Sequence, residues 1–443
     1  MGMEYIPKTD AEEQAMLEQI GVSSFESLLE IPMPLRLNRP LQLPLPLSQM
    51  VLQQEMRGLS KKNKVLSSFL GGGSYSHFIP STVNAVLSRS EFYTAYTPYQ
   101  AEMSQGLLQT IYEYQSLICN LTGMEVSNAS VYDGASALAE AALMAIRISK
   151  RNEVVMSRAI HPHYREVVRT YLSGSNVLIK EIPIDAGRTS LLNLFNRVGD
   201  KTACILIQSP NFFGQLEAMD DVVEIARKNG ALLVMAVDPI SLGILKTPGE
   251  WGADIAVGEG QAMGNAVSFG GPYVGFFATR RDFVRQMPGR IVGRTVDVEG
   301  HPAYCLTLQT REQHIRRERA TSSICTNQAL NALAATVYLG TLGPAGLKEV
   351  AMLCLTKAHQ LQEKISAISG LTCPFSSHFF KEFVIKTTAP ANVVLKRLLR
   401  KGILGGIDLG KYYEELTDHI LICVTEKHTT EEMETLVACL KHS

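Results

Sequence analysis

No two cysteines of this sequence are spaced as CxxC; the eight are scattered, most of them in apolar runs such as ACILIQ and HILICV. That distribution argues against a zinc ribbon or a disulfide framework and fits reduced core thiols of a cytoplasmic protein. No run approaches the roughly 20 apolar residues of a membrane span. The opening, MGMEYIPKTDAEEQAML, has no apolar signal-peptide region. An excess of one charge is also lacking, since 42 Lys and Arg face 43 Asp and Glu for a formal net charge of -1. Like charges cluster only in short runs such as Arg316, Arg317 and Arg319, which read as a solvated helix face. Nucleic acid and membrane surfaces are therefore poor partners. The last absence is local: no lysine occurs between Lys246 and Lys348. What is there is 443 residues, 46% hydrophobic and 19% charged, which exceeds a usual domain of roughly 100 to 200 residues and implies more than one packed unit.

Residues 5 to 31 read as a helical leader, with Thr9 as N-cap and FESLLEI as a second short helix. The proline-rich stretch from Ile31 to Leu47 cannot be helical, and its leucines predict that it packs down along the surface of another body. The loop from Gly71 to His77 lacks both the lysine of a P-loop and the setting of a dinucleotide fingerprint, so it is a weak phosphate cradle beside a plain turn. Tyr96, Thr97, Pro98, Tyr99 and Gln100 then concentrate aromatic and polar groups in a segment without period, suited to an interface or a ligand wall. At Gly134, Ala135 and Ser136 a small-residue turn opens an alanine-rich helix. It offers free N–H groups to an anion, and close helix packing explains it as well.

Beyond Asn152 strands and helices alternate: NEVVMS, YREVVRTYLSG, NVLIKEIPI, LLNLFNRVG, ACILIQSP, DVVEIARKNG, ALLVMAV, ADIAVG. Continuous apolar strands separated by helices predict a mostly parallel sheet covered on both faces, with ligands gathered at the carboxyl ends of the strands. His161, His163, Ser209, Asn211 and Asp238 fall on that edge. His161-Pro162-His163 lacks an evident third ligand, so no metal is expected. The class is α/β with a smaller C-terminal α+β domain. The expected division is an N-terminal helical and extended segment over 1–90, a large domain over 91–343 and a small domain over 344–443.

Asp238 at a strand end, followed by a second strand and the loop Gly258, Glu259, Gly260, Gln261, resembles the cofactor site of pyridoxal-phosphate enzymes of the aspartate aminotransferase type, fold type I. There the aspartate would hold the pyridine nitrogen, yet the loop has no amine for a Schiff base. Four longer blocks, YSHFIPSTVNAVLSRSEFYTAYTPYQAEMSQG, NASVYDGASALAEA, ADIAVGEGQAMGNAVSFGGPYVGFFATR and RRERATSSICTNQAL, are similar to the P-protein of the glycine cleavage system, glycine dehydrogenase (decarboxylating). The likeness covers essentially the whole chain and is strongest to the first of two subunits found where that protein is split. It implies glycine decarboxylation, with the aminomethyl group passing to the lipoyl arm of H-protein. It further implies pyridoxal phosphate on the second subunit and none bound covalently here, in an α2β2 assembly. Tyr96, Thr97, Pro98, Tyr99 and Gln100 would line the partner's active site, whereas Gly134, Ala135, Ser136, His161, Asp238 and Gln261 would mark a vestigial cofactor site. A paralogue that only stabilises the cofactor-bearing subunit is the alternative.

Overall fold

The computed structural model describes residues 7–37, 39–375 and 377–441, which fall into two compact units, one ending at Lys64 and one beginning at Val65. The boundary expected near residue 90 therefore lies inside the second unit. Residues 1–6, which include the start of the expected leader, lie outside the described residues.

In the first unit α1 (Asp10–Ile20) is opened by a capping box, in which Thr9 and Glu12 satisfy each other's backbone N–H, and is closed by Gly21 at φ 84°. FESL makes one 3-10 turn, Phe25–Leu28, and α2 spans Gln49–Ser60. Between them the proline-rich stretch makes one 3-10 turn, Met33–Leu35, where no helix was expected; Pro34 is tolerated because its missing N–H falls within the first turn. Among the described residues the rest is irregular, with Leu35, Leu43 and Leu45 largely exposed.

The second unit continues with α3 (Gln105–Thr122), β1 (Val126–Ser127), α4 (Gly134–Ser149), β2 (Glu153–Ser157), α5 (Pro162–Leu172), β3 (Leu178–Ile182) and β4 (Thr202–Gln208). After these come α6 (Met219–Asn229), β5 (Leu232–Ala236), β6 (Ile255–Glu259) and β7 (Gly275–Thr279). The seven strands form one sheet in the order β1-β7-β6-β5-β4-β2-β3, parallel from β6 to β3 and antiparallel at β7. Alternate residues of β4 show why the strands read as unbroken apolar runs. Ile205 and Ile207 face one core with Leu233 and Met235, while Cys204 and Leu206 face another with Val234 and Ala236. The alanines of α4 are buried in that second core, where small side chains let the helix sit close on the sheet.

The long helix α7 (Ala329–Ser366) is broken at Gly343 (φ 59°, ψ -175°), just before Pro344. Its second half leads to β8 (Glu382–Lys386), α8 (Ala391–Arg400), β9 (Ile407–Asp408), β10 (His419–Cys423) and α9 (Thr430–Lys441). These strands form an antiparallel sheet in the order β8-β10-β9 over a core that includes Leu361, Ile385, Leu398, Ile422 and Leu436. Ser67 and Ser68 pair parallel with Ile403 and Leu404, so the chain just after Lys64 is stitched to this small domain and then crosses to the large one. That crossing carries Gly72, Tyr75 and His77 between the two.

Candidate functional site

The carboxyl ends of β2, β4, β5 and β6 surround a cavity of about 30 Å³, lined among others by His161, Gln208, Asp238, Glu259, Lys381 and Glu382. That is space for about one or two waters, whereas a small-molecule pocket usually encloses about 300–1,000 Å³. Of the expected vestigial positions, His161 and Asp238 line the cavity, and Gly134 and Gln261 bind residues at its rim.

Asp238, two residues beyond β5, faces Lys381 of the small domain, with Oδ2 2.6 Å from Nζ and the lysine side chain 1% exposed. Burial opposes the charge on Lys381, but Asp238, joined by Cys423 and Cys354, outweighs it and holds its pKa above that of an ordinary lysine. The ammonium also lies 3.4 Å from the centre of the Tyr75 ring, a cation–π contact in a desolvated setting. Tyr75 Oη donates to Glu382 Oε2 at 2.8 Å, and the Gly72 N–H donates to Glu382 Oε1 at 2.7 Å. Even so, burial pushes Glu382 up to about 7.

At the end of β6 Glu259 accepts three backbone N–H groups, from Gly134 (3.0 Å), Gln261 (3.1 Å) and Val274 (3.2 Å). Burial dominates these bonds and lifts its pKa to about 8. Gly134 is the first residue of α4, so a side chain of this same protein occupies the helix N-terminus that the sequence offered to an anion. Ser136 contributes its N–H to the cap, donating to Asp133 Oδ1 at 2.7 Å, and Ala135 is buried beside it. His161 donates through Nε2 to the Gly72 carbonyl at 2.7 Å and accepts the His163 N–H at Nδ1, a neutral tautomer that burial favours by lowering its pKa to about 4. Gln261 is paired with the backbone of Tyr75. Ser209 and Asn211 serve structure: Ser209 Oγ accepts the Glu217 N–H, and Asn211 Nδ2 donates to Gly187 O and Glu217 Oε1, both at 2.8 Å.

His77, Cys354 and Glu426 bring ligand-type atoms within 4.8 Å of one another. Both ring nitrogens of His77 are already engaged, Nδ1 with Glu426 at 2.7 Å and Nε2 with Lys381 at 3.1 Å. The trio is thus a continuation of the lysine network rather than a metal cage. Pyridoxal phosphate does not fit the cavity either, since Asp238 is paired, the helix N-terminus is taken and the remaining volume is too small.

Tyr96 to Gln100 line a different place. They form an irregular segment away from the cavity wall, with Tyr96 80% and Tyr99 47% exposed and Pro98 buried. Tyr99 is fixed by Arg290, whose guanidinium donates to its hydroxyl at 2.8 Å. Sequence reasoning missed Lys381, Glu382, His77 and Glu426. One signal was present, the charged pair Lys381-Glu382 inside the apolar run FFKEFVIK.

The family model of the glycine cleavage system P-protein matches residues 3–440. A protein of Desulforamulus reducens named a probable glycine dehydrogenase (decarboxylating) subunit 1 is 54% identical over 442 residues, 99% of each chain. A solved glycine decarboxylase (P-protein) of the glycine cleavage system, in inhibitor-bound form, superposes with a TM-score of 0.91 at 43% identity, covering 99% of this chain and 100% of that one. A C-DES mutant with glycine covalently linked to its PLP cofactor shares the fold alone, at a TM-score of 0.62 and 15% identity over 88% of this chain and 98% of its own.

Proposed function

This chain belongs to the family of glycine cleavage system P-proteins, and on that premise we propose that it is the first of two subunits that together decarboxylate glycine and pass the aminomethyl group to the lipoyl arm of H-protein. Pyridoxal phosphate is held by the second subunit, where it supplies the electron sink for the bond to carbon dioxide. The present chain holds none. The observation that carries this reading is the cavity itself: Asp238 is paired to Lys381 and about 30 Å³ remains.

What the chain contributes is surface. Tyr96 and Tyr99, with Thr97, Pro98 and Gln100 between and beside them, present aromatic area outward, and such groups are costly to leave in water. Placed against the second subunit they would wall its active site, exclude water and strengthen local electrostatics. The exposed leucines between Ile31 and Leu47 suit the same partner as an embracing arm. The assembly is α2β2 and works in the cytoplasm. Among the described residues no helix is long and apolar enough to cross a membrane.

The test is reconstitution. Purified alone, the chain is expected to show no exchange of glycine carboxyl with bicarbonate in the presence of H-protein and pyridoxal phosphate. Exchange is expected on mixing with the second subunit, with both chains in one peak on sizing. Robust exchange by the isolated chain would overturn the reading.

A further inference from the structure

The polar groups expected to hold a cofactor are engaged by this chain's own side chains and backbone. Asp238 uses both oxygens: Oδ1 accepts the Ile240 N–H at 2.9 Å and Oδ2 pairs with Lys381 Nζ at 2.6 Å. An ammonium has no lone pair, so Lys381 must be the donor to His77 Nε2 at 3.1 Å. The imidazole proton is then on Nδ1 and is donated to Glu426 Oε2 at 2.7 Å, while Glu426 Oε1 accepts the Phe78 N–H at 2.6 Å. At the far side Glu259 Oε2 takes the Gly134 N–H of α4, a helix of 16 residues. The Asp238 carboxylate and the Gly134 N–H, which a cationic ring and a bound anion would satisfy, are satisfied without them.

We infer that this pocket is a self-occupied cofactor site. The Lys381 ammonium stands on Asp238 in place of a ring cation, and the Glu259 carboxyl stands on the α4 N-terminus in place of a phosphate. The chain takes up neither pyridoxal phosphate nor free phosphate there. Lys381, Glu382 and Glu426 belong to the small domain, Asp238 and Glu259 to the large one, and Tyr75 and His77 to the segment crossing between them. The same plug therefore pins the two domains together. Opening the joint would strand Lys381 and Asp238, whose side chains are 1% and 10% exposed, as unpaired charges. The inference goes beyond the division of labour proposed above, which would hold equally for an empty vestigial pocket and mobile domains.

Two measurements on the full chain test it without recourse to turnover. In the first, the chain is incubated with pyridoxal phosphate, reduced with borohydride, digested and mapped by mass spectrometry, with a parallel thermal melt in inorganic phosphate. No adduct at Lys381 and no phosphate-dependent rise in melting temperature are expected; either one overturns the inference. In the second, Asp238→Asn, Lys381→Met and the double variant are melted. Each single change is expected to lower the melting temperature by about 3–6 °C, because it leaves one buried charge unpaired. The double variant should recover at least half of the summed loss, since a neutral pair strands no buried charge. Additive losses would count against the plug. If the single variants yield no soluble protein, a soluble double variant supports the pairing and an insoluble one contradicts it.

Discussion

Gln261 and Tyr75 exchange two hydrogen bonds. The Tyr75 N–H donates to Gln261 Oε1 at 2.8 Å, and Gln261 Nε2 donates back to the Tyr75 carbonyl at 2.9 Å. A further bond runs from Nε2 to the Asn265 carbonyl at 2.8 Å. In the loop that lacks an aldimine lysine, the residue present is thus an amide that both donates and accepts. Lysine only donates, so Gln261→Lys would leave the Tyr75 N–H without an acceptor and bring a second ammonium toward Lys381. A loss of about 2–3 kcal/mol is expected in urea unfolding, with no cofactor adduct gained. Unchanged stability would mean that the pair is incidental.

Tyr96 and Tyr99 should separate by phenotype. Tyr96 is 80% exposed, so Tyr96→Ala should leave the isolated chain within about 0.5 kcal/mol of the parent. Turnover of the reconstituted two-subunit enzyme should nevertheless fall, on the order of tenfold or more, through a misplaced wall. Tyr99→Ala removes the hydroxyl that receives the buried Arg290 guanidinium, and should in addition cost about 1–2 kcal/mol. Full turnover and normal assembly by both variants would favour the scaffolding reading.

The pH dependence of stability follows from Glu259. Burial raises its native pKa from 4.5 to about 8. Between those values the native chain keeps a proton that the unfolded chain has released, so stability falls as pH rises through the window. Glu382, raised to about 7 by burial, acts in the same direction. Glu426 acts oppositely: burial pulls its pKa up, but His77 and the Phe78 N–H bring it down to about 2, so its contribution is present above 4.5 and lost as pH falls toward 2. Buried His161, lowered to about 4, opposes this decline between 4 and 6.5, so calorimetry should show a melting temperature that declines from about pH 6.5 to 8 in the parent and declines less in Glu259→Gln. Equal slopes would remove Glu259 from the account.

Gly214 sits at φ 79° where a Cβ would run into the Glu382 carbonyl, and its own carbonyl accepts the Phe380 N–H at 3.2 Å. Both strain and overlap act at this junction of the domains, so Gly214→Ala should cost about 3 kcal/mol or more. Gly300, at φ 88° with open space around it, is the control, and its change to alanine should cost about 1 kcal/mol. Equal effects in denaturant unfolding would show that the close packing at Gly214 adds nothing to the backbone strain.

Much of the fold was legible because it rests on local periodicity. Apolar runs such as ACILIQ and ALLVMAV became β4 and β5, and the polar groups just past such strands, His161 and Asp238, came together at one edge. The N-cap at Thr9 is present with its bonds, as part of a capping box with Glu12, since the spacing of three residues alone decides it. The plug was not legible. Lys381 meets Asp238 only after the small domain has folded back over the sheet. Before that, a lysine in a strand reads as a solvated residue.

By itself, then, the sequence determined the layers, the direction of the sheet, the strand ends where a ligand would collect and the lack of an amine at Gln261. Those features follow from short-range pattern and from which side chains exist at all. Only the tertiary structure decided what fills the pocket. A charge or a polar group in a low-dielectric interior must find a partner, and here the partners, Lys381 for Asp238 and Gly134 for Glu259, come from segments distant in the chain.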